Sequence, residues 1–119
     1  MGTARTVVVV LGAGYIAAGL AGLVLESPLL GLFEVNLVHN LVHLALGAVL
    51  LYGATSTAAA IMTARVVGSL LVVLGILGFF EPFPGVVPLG GNDIWLHLAS
   101  GVILLAAGFI ALGREPSSA

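Results

Sequence analysis

Three histidines are the side chains of this chain best suited to ligand or proton chemistry. His39 and His43 are four residues apart, so on a helix they share one face, and His97 lies in the second half of the chain. A neutral imidazole is the commonest protein ligand for metal ions, and it titrates near physiological pH. The polar residues that accompany the histidines in sequence are Asn36, Asn40, Asn92 and Asp93. We call this whole set the polar cluster, and it is the candidate site that the sequence predicts.

The composition indicates that membrane-spanning helices must position this cluster. The chain has 119 residues, of which 61% are hydrophobic and 7% are charged, whereas about a quarter of residues are charged in a soluble domain. One helix needs about 20 apolar residues to cross a bilayer, so four helices use nearly the whole length. We expect one integral-membrane domain over residues 1–119. The chain has no cysteine, which excludes disulfides and thiolate sites, and no basic patch that would indicate nucleic-acid binding.

The positions of the arginines predict how the chain crosses the membrane. Arg5 precedes the first apolar stretch, Arg65 opens the third, and Arg114 follows the fourth. Acidic residues occupy most of the places between them, namely Glu26, Glu34, Glu81 and Asp93. Because basic residues concentrate on the cytoplasmic side of membrane proteins, this alternation predicts four spans with both termini in the cytoplasm. We therefore expect a multi-pass protein of the cytoplasmic membrane.

Four apolar stretches give the approximate spans of the predicted helices. These are residues 6–25, 36–54, 61–80 and 92–112. The two external connections contain prolines, which disfavour helix at and before themselves. Both connections are apolar, so they either fold over the outer end of the bundle or form a docking surface. Small residues in the first span, Gly14, Ala18 and Gly22, predict a closely packed face.

The two halves of the chain resemble each other. His43-Leu-Ala-Leu-Gly-Ala-Val-Leu-Leu in the second span matches His97-Leu-Ala-Ser-Gly-Val-Ile-Leu-Leu in the fourth, and an Ala-Arg pair precedes or opens the first and third spans. This pattern predicts an all-α transmembrane four-helix bundle built from two parallel helical-hairpin repeats. Parallel repeats are related by an axis along the membrane normal, so His43 and His97 should lie at similar depth in the outer leaflet.

Two short patterns carry a resemblance to a known family. Asn-x-x-His-Asn-x-x-His-Leu occupies residues 36–44, and Asp-x-x-x-His occupies residues 93–97. With these patterns, nearly the whole chain resembles a family of small four-helix bacterial membrane proteins that is catalogued as a domain of unknown function. The resemblance implies this topology and a location in the bacterial inner membrane, and it implies no activity.

The polar cluster has a structural interpretation, in which it joins the helices. Small residues let helix backbones approach, and His or Asn side chains then form hydrogen bonds across the contact, each worth under about 1–2 kcal/mol. Asn40 and Asp93 are natural partners for the histidines. Asp93 also lies in the first turn of its predicted helix, where the helix dipole favours an acid.

The same cluster also has a ligand-binding interpretation. Helical bundles build cofactor sites from facing side chains, and a carboxylate near a histidine can orient the ring for a metal ion. His39, His43 and His97 are the candidate ligands for a haem, a chlorin or a metal ion. Glycine one turn below two of these histidines, at Gly47 and Gly101, would leave space for a flat macrocycle.

Transport and catalysis have less support in the sequence. A proton relay would need polar groups in the inner halves of the spans, where valine, leucine, alanine and glycine predominate. We therefore expect a structural or interaction module that is not an enzyme and has no cofactor. Its expected partners are the lipid bilayer and either a membrane protein or a second copy of itself. The alternative is a membrane protein that binds haem, pigment or metal through its histidines.

Overall fold

The computed structural model describes residues 2–110, which form four α-helices. Their bounds are α1 Thr3–Val24, α2 Leu37–Gly53, α3 Thr57–Leu77 and α4 Asn92–Phe109. Within residues 2–110 there is no β-strand, and only an isolated bridge joins Leu29 to Phe33. The prediction of an all-α four-helix protein is therefore confirmed. Arg114 and the predicted end of the fourth span at residue 112 lie outside the described residues.

Helix starts follow from capping side chains. The side-chain oxygen of Asn36 accepts a hydrogen bond from the backbone N–H of His39 at 2.9 Å, which begins α2. Ser56 caps α3 in the same way, accepting from the N–H of Ala59 at 3.0 Å. Because Ser56 satisfies that donor, α3 begins at Thr57 rather than at the predicted residue 61.

Length and composition make this a helical membrane protein. Three helices, α1, α3 and α4, are long and apolar enough to cross a bilayer, with 22, 21 and 18 residues and mean hydropathies of 2.3, 2.2 and 1.3. The remaining helix, α2, is also apolar but has 17 residues, a length of about 26 Å against a hydrocarbon core of about 30 Å. Large apolar side chains such as Val10 and Val49 are exposed on the helix surfaces, as expected where they contact lipid.

The helices pack mainly in two antiparallel pairs, α1 with α2 and α3 with α4. Glycines lie at the closest approach of each pair. A Cβ added at Gly47 would lie 2.7 Å from the Gly12 carbonyl oxygen, and one added at Gly101 would lie 2.9 Å from that of Gly68. The packed face of α1 thus contains Gly12, whereas nothing lies within 4 Å of a Cβ added at Gly14. Of the predicted packing face, Gly22 is closely packed, against the Asn40 side chain, whereas Gly14 is not.

Arginines join the helices of each pair at the end where α1 and α3 begin. The Nε of Arg5 donates to the Ala54 carbonyl at 3.0 Å, and the Nε of Arg65 donates to the Gly108 carbonyl at 2.9 Å. The Arg65 guanidinium also lies 4.1 Å from the centre of the Phe109 ring. Each arginine thereby satisfies a carbonyl at the C-terminal end of its neighbouring helix. That the two pairs are parallel repeats stays a prediction.

The interior is divided between an apolar half and a polar half. The apolar half lies towards the arginines, and its completely buried residues are Ala4, Val8, Leu50, Ala60, Ala64, Leu71 and Leu104. The polar half lies at the other end of the bundle, where the connections over residues 25–36 and 78–91 run between helices. We call this end the loop end, and it holds the candidate site.

Candidate functional site

The first turns of α2 and α4 bring most of the polar cluster together inside the loop end. Its buried members, each at most 3% exposed, are His39, Asn40, His43, Asp93 and His97. Asn36 and Asn92 lie outside this buried group, at the starts of α2 and α4. Both halves of the chain thus contribute side chains to this buried group, and two of the three asparagines lie outside it.

The three histidines form a compact triangle between two helices. The Nε2 atoms of His39 and His43 are 2.9 Å apart, and their ring centres are 4.2 Å apart. The ring centre of His97, on α4, lies 6.2 Å from that of His39 and 6.1 Å from that of His43. One ring nitrogen from each residue can be chosen so that all lie within 4.8 Å of one another. This convergence is the geometry that a ligand bound by nitrogen would require.

A buried carboxylate accompanies the histidines. Asp93 is 1% exposed, and its Oδ2 lies 3.7 Å from the Nδ1 of His39, which is an ion-pair distance and longer than a hydrogen bond. Glu34 and Glu81 are near enough to Asp93 to interact with it electrostatically. An acid is therefore held beside the imidazoles in a region of low dielectric constant, where it interacts strongly with any positive charge.

The hydrogen-bonding capacity of this buried group is incompletely used. Among residues 2–110, the Nδ1 atoms of His43 and His97, the Oδ1 of Asn40 and both carboxylate oxygens of Asp93 have no hydrogen-bond partner. Each such buried group costs about 1–3 kcal/mol when it lacks a partner. Asn40 does not pair with a histidine as predicted, because its side chain packs against Gly22 of α1. The histidines and Asp93 are thus available to a further ligand.

Asn36 and Asn92 hold the two connections over the loop end. The side-chain amide of Asn36 donates to the carbonyl of Val86, and that of Asn92 donates to the carbonyl of Leu32, both at 2.8 Å. Each asparagine thus binds the connection of the other helix pair. This reciprocal arrangement was not predicted, because nothing in the sequence indicates which backbone carbonyl a loop will present.

Sequence reasoning also missed two residues below the histidines. The Tyr15 hydroxyl and the Ser100 Oγ are 2.7 Å apart, and the Tyr15 ring packs edge-on against His43 with centres 5.2 Å apart. Ser100 also donates to the carbonyl of Leu96 at 2.7 Å, as expected for a serine in a membrane helix. A tyrosine in the middle of an apolar span was the available signal, since its buried hydroxyl needs a partner.

A cleft of about 570 Å³ lies between the two connections above the cluster. Glu34, Asn36, Glu81 and Pro88 are among its lining residues. Pro88 also borders His39 through its backbone carbonyl. Pro88 therefore lies between the cleft and His39.

The space expected for a haem or a chlorin below the histidines is filled by helix packing. The glycines below the histidines were expected to leave space for a macrocycle, but Gly47 packs against the backbone of α1 and Gly101 against that of α3. The Nε2 of His43 also faces the Nε2 of His39 at 2.9 Å, which leaves no gap for a flat ring at that nitrogen. A single metal ion is the smaller ligand that the same nitrogens could hold.

Apolar helices around a buried group of histidines and one aspartate define a helical membrane protein with a polar site enclosed at one end. The chain belongs to the family described as Domain of unknown function (DUF4383), whose model matches residues 5–110. This match confirms the resemblance seen in the sequence. Comparisons with curated proteins and with solved structures give no match.

Proposed function

We propose that this protein is a small module of the bacterial inner membrane that packs against a membrane-protein partner or a second copy of itself, and that it is not an enzyme. The observation that carries the proposal is the closed loop end, where Asn36 and Asn92 bind the opposite connections. With the connections held in this way, the two helix pairs form one rigid unit suited to presenting a lateral surface.

The distribution of polar groups supports a module rather than a transporter. Towards the arginine end the buried hydrophobic side chains are those of alanine, valine and leucine, and Thr57 is the buried polar residue described there. Below the histidines, Tyr15 and Ser100 bond to each other, and between this pair and Thr57 the described buried side chains are apolar. A continuous path for ions or protons would need polar groups along its length.

An exposed aromatic group on the second helix pair is the surface that we assign to the partner. Phe79 and Trp95 contact edge-to-face with ring centres 6.0 Å apart, and both are 59% exposed. Phe80 and Phe83 beside them are also exposed. Aromatic residues are enriched at protein interfaces and at membrane–water interfaces, so this group suits a contact made within the membrane near the loop end.

A photo-crosslinking amino acid at Trp95 tests this assignment in native membranes. Val49 on α2 is the matched control position, because it is a helical residue of similar exposure, 53% against 59%. We expect a crosslinked product from position 95 and none from position 49. A product of twice the chain mass identifies a second copy, and any other mass identifies a different membrane protein. If neither position yields a product, the proposed role is wrong.

We further propose that the loop end faces the periplasm and both termini face the cytoplasm. Arg5 and Arg65 lie at the same end of the bundle, opposite the loop end, which supports this orientation. A reporter that is active only in the periplasm should be active when inserted at Gly85 and inactive when fused at the N-terminus. The reverse result would invert the orientation.

A further inference from the structure

We propose that His39, His43 and His97 form a binding site for a divalent transition-metal ion of the zinc type. The three residues come from two helices, are at most 3% exposed, and each offers one ring nitrogen within 4.8 Å of the others. This inference rests on one part of the proposed function, namely that the two helix pairs form one unit, because the ion would join them at the loop end. It requires no membrane-protein partner.

The distances agree with a tetrahedral site after small side-chain movements. Zinc–nitrogen bonds of about 2.0–2.1 Å place the nitrogens of a tetrahedral site about 3.3–3.4 Å apart. The contact between His39 and His43, at 2.9 Å, would open by a few tenths of an ångström. The chosen nitrogens of the three rings lie within 4.8 Å of one another, so any longer separation among them would have to close to that range. Small rotations of the side chains provide such shifts without moving the helices.

Asp93 has the position of a residue that supports a metal site. Metal-binding histidines commonly donate their second ring N–H to a carboxylate, which fixes the tautomer and the ring orientation. The Asp93 carboxylate lies 3.7 Å from the Nδ1 of His39, so it can orient that ring with Nε2 towards the ion. Its negative charge would also offset part of the ion's charge in the membrane interior. An ion would therefore give the free oxygens of Asp93 an electrostatic partner.

The cleft at the loop end would collect cations above the buried site. Glu34 and Glu81 line it, and both interact electrostatically with Asp93 below. Carboxylates in a narrow cleft raise the local concentration of cations. An acidic cleft about 570 Å³ in volume thus lies at the surface above the buried site.

The donor set narrows the class of metal. Imidazole nitrogens suit zinc, cobalt, nickel and copper, whereas magnesium and calcium prefer sets of oxygen ligands. The chain has no cysteine, so the thiolates preferred by softer ions are absent. Three neutral imidazoles with one position left for water or a carboxylate oxygen match the ligand number of zinc sites.

Cobalt titration of the untagged full-length protein tests the proposal. The protein is purified in detergent, stripped with a chelator and titrated with Co²⁺, whose visible absorption reports tetrahedral coordination, and Zn²⁺ is then added in competition. We expect one equivalent of Co²⁺ to bind and Zn²⁺ to displace it. Asp93→Asn should weaken binding by about 10–100-fold, as is usual for loss of a supporting carboxylate. His97→Ala should weaken it further.

Ser69→Ala is the matched control, because Ser69 is exposed and its hydroxyl bonds only to the Arg65 carbonyl of its own helix. The Ser69→Ala variant should bind Co²⁺ with the same affinity as the unchanged protein. If His97→Ala does not fold, the titration of the unchanged protein decides the question by itself. An unchanged protein that binds neither ion, or a folded His97→Ala that binds as well as the unchanged protein, would overturn the metal site. The crosslinking result at position 95 does not depend on the ion, so either proposal can fail without the other.

Discussion

The two helix pairs share arginine and glycine contacts between their helices, and one of the aligned buried positions at which they differ holds a base in one pair and an acid in the other. In both pairs, an arginine donates a hydrogen bond to a carbonyl at the C-terminal end of the neighbouring helix, and glycines bring the helix backbones into contact. When His43 is aligned with His97, the residue one turn earlier is His39 in the first pair and Asp93 in the second. The shared positions determine how close the helices lie, and the position that differs determines the chemistry between them.

This difference explains why the site can hold charge. Histidine at both positions would leave a group of bases with no acid, and aspartate at both would place two carboxylates close together in a medium of low dielectric constant. One of each puts an acid next to bases, with Asp93 at 3.7 Å from His39. Such a combination can stabilise a bound cation or a proton.

The largest expected effect comes from filling the helix contacts that the two pairs share. Gly47→Val and Gly101→Val would each force side-chain atoms against the backbone of the neighbouring helix, which cannot move aside. We expect each to lower the free energy of unfolding by about 3 kcal/mol. Thermal unfolding in detergent, followed by circular dichroism, would measure this loss.

Gly14→Ala is the control for this pair of variants, because no atom lies within 4 Å of the added Cβ. It should be neutral or stabilising by up to about 1 kcal/mol, since alanine favours helix over glycine. Similar losses from Gly47→Val and Gly101→Val would support equivalent packing in the two pairs. If only one of the two valine variants lost stability, the glycine contacts of the two pairs would not contribute equally to the free energy of unfolding.

Exchanging His39 and Asp93 gives the next largest expected effect on the free energy of unfolding. His39→Asp alone and Asp93→His alone should each lower the free energy of unfolding by about 2 kcal/mol, because each leaves buried polar groups worse paired. The double exchange restores one acid and the same number of bases, so it should recover most of that loss. Thermal unfolding and Co²⁺ titration of all three variants would test this. A double variant less stable than the sum of the singles would contradict the equivalence of the two positions.

The smallest effect separates the two asparagines at the loop end. Asn36 both caps α2 and binds Val86, whereas Asn92 forms a side-chain hydrogen bond to Leu32 but is not a helix cap. We expect Asn36→Ala to cost about 1–2 kcal/mol and Asn92→Ala about 0.5–1 kcal/mol. Hydrogen exchange over residues 25–36 and 78–91 should rise in both variants. Equal losses of stability in the two variants would mean that the capping hydrogen bond of Asn36 adds no stability beyond its contact with the connection.

Much of the fold could be predicted because membrane helices follow composition closely. In lipid every backbone polar group must be satisfied within the helix, so long apolar stretches predict helices with few alternatives. The histidine spacing predicted a shared face, and the likeness of the two halves predicted that His97 would join it. The packed face of α1 was predicted only in part, since Gly22 is closely packed but Gly14 is not and Gly12 and Gly19 were missed, because a helix that is apolar all round carries little signal for its inward side.

The sequence by itself determined the helices, their membrane character and the residue types of the polar cluster, because these depend on local composition and spacing. Only the tertiary structure decided which of those residues meet. It placed His39, His43, Asp93 and His97 together, turned Asn40 towards α1, and closed the loop end through Asn36 and Asn92. The reason is physical: such contacts depend on the rotation and separation of neighbouring helices, which are set by glycine contacts distant in sequence from the side chains that they align.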